Sequence, residues 1–351
     1  VQELHTLGAE NSYGFQDEGD IPAATAIPGS SAVLPAGLKA GYSEADVVQV
    51  TLCLTGWTIS TNYTDGNNTG TYIYHPDWHD ESSKRVLGID IIDSGEDEFK
   101  AVMDLLAVHP ETARYVCRKL CRRLISDNPP ESVVEAAAQV FNDQWQAADQ
   151  LAQVVRTIIL SDEFKAASNW GEKTKRPFEL IMGAIRSCGG FSLKLVMPTP
   201  FSDSTANLLL GENYYFSQSL YWTMESTGHM PFTWATPDGF PDNKQAWLGS
   251  TPLIMGWRVL NYLSMAWFPD DPANPDTTGW HTTHPVDVVA VTKLELSPGE
   301  RTANNIVDLW VERFLGYDAT TPAQPQLNTG DRDALVLFMQ QDAASADTVL
   351  D

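Results

Sequence analysis

The stretch HPETARYVCRKLCRRLI, residues 109–125, decides how this chain reads. Pro110 fits a first helical turn, where the missing N–H costs nothing. Ala113, Val116, Cys117, Leu120, Cys121 and Leu124 then recur at intervals of three and four, the spacing of a helix with one apolar stripe. Arg114, Arg118, Lys119, Arg122 and Arg123 fill the other side and read as an exposed or acid-paired face rather than a ligand site. Cys117 and Cys121 lie on the stripe and are expected as small buried thiols. With Cys53 and Cys188 they make 4 cysteines, scattered and without a CxxC pair, which is no disulfide framework.

Working outward, the same period starts near Glu98, at Pro130 and near Ala148, predicting successive antiparallel helices up to Phe164. Upstream, Ser43 and Asp46 have the offset of a capping box, with Val47, Val50, Cys53 and Leu54 behind them and a stop at Gly56. Residues 9–42 are rich in Gly, Pro, Ala and Ser and read as a long inserted loop. Thr71-Tyr72-Ile73-Tyr74 pairs plausibly with residues 57–60 as a hairpin. Asp65 to Gly70 copies half of a calcium loop, but Pro76 stands where the closing Glu belongs. Downstream, helices are expected at 177–188, near 204–210, at 251–266, 303–315 and 331–341. The fold class expected is therefore mainly α: a multi-helix, bundle-like domain with long Pro-, Gly- and aromatic-rich loops and at most a small β-hairpin near residues 57–75. Its parts are a helical core, 1–190, and an aromatic loop region with C-terminal helices, 191–351, packed with the first as one unit.

A chain of 351 residues with 22 basic and 46 acidic side chains, net charge −24, repels phosphate backbones and anionic lipid, so nucleic acid is excluded as a partner. No apolar run reaches the length of a membrane span. Nucleophile-elbow, phosphate-loop, HExxH and CxxC motifs are missing. What remains are histidines beside carboxylates. A divalent-metal or acid–base site drawn from Glu3, His5, His79, Asp80 and His109 is one reading, and turn and helix-start roles for the same residues are the other. The aromatics of 214–247 are either filling between helices or a wall that stacks on sugars or other flat faces, with Tyr214, Tyr215, Trp222, Trp234 and Trp247 as its candidates.

Several phrases together carry a resemblance: Glu3-Leu4-His5-Thr6-Leu7-Gly8, Tyr42 to Val47, Leu54-Thr55-Gly56-Trp57, His79-Asp80 with Lys84 and Leu87-Gly88, His109 to Arg114, Asp127-Asn128-Pro129-Pro130, and Lys175 to Glu179. In order and spacing they resemble the bacterial family called domain of unknown function 1800 over residues 1–190, and more loosely around Pro237 to Leu248. The resemblance implies export to the periplasm, cell surface or medium, and a helical portion preceding Val1. It implies no activity. It also suggests a partner, an exported protein of a neighbouring family that looks like sulfatases and phosphatases. Three functions follow as expectations: an accessory, binding or assembly protein; a metal-dependent hydrolytic or oxidative enzyme; or a structural subunit of a surface assembly.

Overall fold

The computed structural model describes residues 1–60, 70–92, 94–189, 221–222, 224–265, 288–316, 327–341 and 343–350, with the backbone alone for 262–265. The chain divides into two compact units, Val1–Glu172 and Lys173–Asp351. The half calcium loop, the helix expected near 204–210, Tyr214 and Tyr215 lie outside the described residues.

The first unit has two cores. In one, helices α3 (Pro110–Leu124), α4 (Glu131–Asp143) and α5 (Gln150–Leu160) pack in sequence order as the periodicity predicts. Ala113, Cys117, Cys121, Val134, Ala137, Val154 and Ile158 interlock there, and burying each of the valine and isoleucine side chains contributes about 1.5–3 kcal/mol. Burial pushes the Cys121 thiol up to about 11, so it stays protonated and unreactive. The basic face of α3 is acid-paired: Arg114 bridges Glu111 and Glu135 at 2.7 and 2.6 Å, and Arg118 meets Glu131 at 2.6 Å.

The second core lies between α1 (Glu44–Cys53), α2 (Glu96–Val108) and the second of two antiparallel hairpins. The first hairpin is the expected one, β1 (Trp57–Ile59) against β2 (Tyr72–Tyr74), in the register Trp57↔Tyr74. Gly56 precedes it at φ +88°, where a Cβ would meet the Tyr74 ring at 2.7 Å and the His75 carbonyl at 2.9 Å, so only glycine fits. The second, β3 (Lys84–Val86) with β4 (Ile89–Ile91), turns through Leu87 and Gly88. Both turn residues have positive φ, +51° and +81°, as two-residue hairpins require.

The inserted segment 9–42 is a strap fixed to both cores. Ile27 sits in the α3–α5 core and Leu38 in the other. Its backbone is tied by Ala24 N–H to Leu38 O at 2.8 Å and Lys39 N–H to Leu87 O at 2.9 Å. Asp143 on α4 accepts from the Ser30 hydroxyl at 2.7 Å and the Ser31 amide at 2.6 Å. Loop composition described its lack of periodicity correctly, but a few well-placed apolar residues and backbone pairs are enough to hold it.

The short α6 (Asp162–Lys165) follows α5, and in the second unit α7 (Pro177–Ser187) packs against α9 (Ser250–Met265) through Ile181, Ile185, Cys188, Met224 and Val259. The short α8 (Lys244–Trp247) precedes α9, and α10 (Val288–Glu295) follows it. The last core joins α11 (Ala303–Leu315) and α12 (Thr329–Gln340) through Ala303, Val307, Val311 and Val336. The sequence reading grouped 177–188 with the first 190 residues; that helix packs within the second unit.

Candidate functional site

The chemically richest place in the first unit is where the end of α1, the segment before β3 and the start of α2 converge. Glu98, in the first turn of α2, meets Lys84 Nζ at 3.0 Å through Oε2 and 3.3 Å through Oε1. Its Oε2 also lies 3.3 Å from His79 Nε2. The three side chains are 1, 0 and 3% exposed. Lys84 donates as well to the carbonyls of Asp80 and Ser82, so its ammonium is fully used. His79 donates from Nδ1 to the Thr55 carbonyl at 3.0 Å, which turns Nε2 toward Glu98. Across that 3.3 Å gap neither Nε2 nor Oε2 reaches hydrogen-bond geometry, so the two atoms lie close without a directed bond.

Cys53, at the end of α1, lies beside the same carboxylate. Burial first, then the Glu98 charge, pushes its thiol up to about 11. Asp80 turns outward instead, where the hydroxyl and amide of Ser82 hold its carboxyl below the usual range. Trp57 packs at 5.3–5.6 Å on Tyr72, Tyr74 and Phe99. Chemically the cluster is a buried ammonium, carboxylate and imidazole with a protonated thiol. It ties three segments together and, at 0–3% exposure, offers no surface to a solute.

Of the residues proposed from sequence as metal ligands, the structure joins only His79 and Asp80, and these face different partners. His109 is the C-cap of α2, eleven residues from Glu98, which places it about 16 Å along the helix axis from the His79 cluster. Both its nitrogens are used: Nε2 donates to the Lys39 carbonyl at 2.8 Å, and Nδ1 accepts from the Glu111 amide at 3.1 Å to cap α3. Glu3 and His5 lie exposed on a π-helical turn, Gln2–Thr6, that leans on α3, where the Tyr115 hydroxyl donates to Leu4 O. Among the described residues no three His, Cys, Asp or Glu side chains gather for a metal ion. Lys84, Glu98 and Cys53 were not among the site residues read from the sequence. A lysine at the start of a strand and an acid in a first helical turn look ordinary, and only the burial of both distinguishes them.

His109 makes a pH prediction. Burial holds its imidazole below the ordinary value, with the Lys39 carbonyl opposing. The unfolded chain takes up this proton below about pH 6.5 while the folded one does not, so stability is complete above that pH and falls as the pH drops toward the folded value. Unfolding free energies at pH 7 and pH 5 will show this loss in the wild type, and a smaller one in His109→Asn, which retains an N-cap acceptor.

In the second unit, the candidate stacking residues separate. Trp247 is buried, and its Nε1 donates to the Pro241 carbonyl at 2.8 Å, which removes it from any ligand-facing wall. Trp222 is exposed. Trp234 is 40% exposed, with Nε1 donating to Asp238 at 2.9 Å.

Compared with known families, residues 1–348 match the family model described as "Protein of unknown function (DUF1800)", so the likeness read over residues 1–190 runs through nearly the whole chain. No curated protein and no solved structure matches the chain.

Proposed function

Because the chain belongs to the family described as protein of unknown function DUF1800, membership brings no activity with it, and we propose from its surface that it is a binding or assembly protein that works through a protein partner. The observation that carries this reading is α9. Its inner side holds Val259 in the core, while Leu253, Ile254 and Trp257, one face at i, i+1 and i+4, stand exposed, Trp257 by 72%. A helix apolar on both sides belongs between two apolar neighbours. Exposed apolar faces of this kind mark interfaces, and tryptophan is the residue most enriched at their centres. In α12, Leu335, Leu337 and Phe338 are likewise exposed.

The partner we infer is an exported protein of the sulfatase- and phosphatase-like family that the sequence resemblance suggested, with the complex outside the cytoplasm. The acidic charge of −24 suits a solvated, non-nucleic-acid setting. The metal-dependent alternative rests on residues that lie about 16 Å apart along α2 or on separate surfaces, and gains nothing from the geometry.

The test is co-purification of the full chain with such a partner. A complex is expected for the wild type, and Leu253→Glu/Trp257→Glu should abolish it while circular dichroism stays unchanged, since both side chains face solvent. Failure to form a complex, or a complex indifferent to the double substitution, sinks the reading. Concentration-dependent self-association lost in the same variant would favour the surface-subunit alternative.

A further inference from the structure

The second unit carries a stack of rings that runs from its interior to its surface. Buried Trp247 lies 4.9 Å from the His229 ring, His229 meets Phe240 edge-on at 4.6 Å, and Phe240 lies 4.9 Å from Trp234, the outermost member. The two polar inner members are also fixed by hydrogen bonds: Trp247 Nε1 donates to Pro241 O at 2.8 Å, and His229 Nδ1 accepts from the Phe178 amide at 3.2 Å. Trp234 is fixed at its edge, where Nε1 donates to Asp238 at 2.9 Å, and the Thr236 hydroxyl donates to the same carboxylate. The indole therefore keeps its polar edge satisfied and leaves part of its surface to solvent. Two residues earlier Phe232 is fully exposed, at 105%, on a backbone with φ of +67°, a region that a bulky side chain seldom adopts.

We infer that Trp234 and Phe232 form a stacking platform for a neutral polysaccharide. Three observations point to a glycan rather than a protein surface here. The residues between and after the two rings, Thr233, Ala235, Thr236, Pro237, Asp238 and Gly239, are small or polar and all exposed, so the rings form no continuous apolar patch. A ring with a hydroxyl and a carboxylate at its rim matches a pyranose, which has an apolar C–H face and a polar edge. A net charge of −24 disfavours polyanionic chains and leaves neutral ones. Aromatic preorganisation from below lowers the ordering cost of binding, since Trp234 is already held. This proposal uses none of the α9 residues and stands or falls independently of the partner proposed there.

The experiment is affinity electrophoresis of the full chain through gels containing β-glucan, xylan, mannan or starch, with co-sedimentation on cellulose and chitin, and alginate as the anionic control. Retardation by at least one neutral polymer and none by alginate is expected. Trp234→Ala should weaken binding by about tenfold or more, the size of one lost stacking contact with its buried area. Phe232→Ala should weaken it several-fold, and because its side chain is fully exposed this variant cannot fail through misfolding. No retardation by any neutral polymer overturns the proposal, as does unchanged retardation in both variants with intact near-ultraviolet dichroism.

Discussion

Lys84→Met should destabilise the first unit by about 3–5 kcal/mol, the cost of leaving one member of a buried ion pair without its partner. Glu98 is 1% exposed and its carboxylate has Lys84 at 3.0 Å; without the ammonium the charge faces only His79 and a protonated thiol. The carbonyls of Asp80 and Ser82 lose a donor as well. Glu98→Leu should also be costly, because it leaves the buried Lys84 ammonium with two carbonyls and only the more distant Asp80 carboxylate, at 3.7 Å, as counter-charge. The double variant Lys84→Met/Glu98→Leu should recover much of the loss, since an apolar pair of similar volume removes both desolvation penalties. Equilibrium denaturation of the four proteins closes the cycle, read on the transition that unfolds residues 1–172. Single variants that cost under about 1 kcal/mol would mean that the pair is solvated in solution, as surface pairs are.

Asp46→Ala should cost about 3 kcal/mol, more than a helix cap alone. The carboxylate is buried and accepts three bonds: from the Ser43 amide and hydroxyl, each at 2.8 Å, and from the Leu87 amide at 2.6 Å. The Ser43 amide bond is half of the capping box of α1, whose other half is the Asp46 amide donating to the Ser43 hydroxyl, and a cap is worth about 0.5–2 kcal/mol. The third lies forty-one residues away, at the turn of the β3–β4 hairpin, and losing it leaves a buried N–H unpaired for about 1–3 kcal/mol. Asp46→Asn retains one acceptor oxygen and should cost roughly half as much. Hydrogen exchange at Leu87 separates the two contributions: the amide should become labile in Asp46→Ala and stay protected in Ser43→Ala, which damages only the cap.

Asp46 also marks the boundary between what was legible and what was not. Ser43 and Asp46 announce a helix start by their spacing alone, because a capping box is a contact between neighbours in sequence. The Leu87 contact has no local signature. The same holds for Cys117 and Cys121, whose burial follows from the stripe they share on α3, against Lys84 and Glu98, whose burial follows from nothing in their neighbourhoods.

The histidines show how far local reading reaches. His109 before Pro110 signals a helix start, and capping α3 is one of the two jobs it performs. Its other bond, to Lys39 on the strap, depends on where an unperiodic segment is laid down, and that placement keeps His109 away from any metal set. The aromatic region divides in the same way: composition foretold many rings between 214 and 247, but not that Trp247 lies inside and Trp234 at the surface.

By itself, then, the sequence determined the helical class, the order and starts of α1, α3 and α4, the first hairpin, the acidic character and the family, because each depends on periodicity, capping or spacing within a few residues. The tertiary structure alone decided that residues 9–42 strap two cores together, that His79, Lys84 and Glu98 meet in a dry interior, and that α9 keeps an apolar face outward. Those outcomes depend on which distant surfaces exclude water from one another, and the energies involved belong to pairs of segments that no local pattern records.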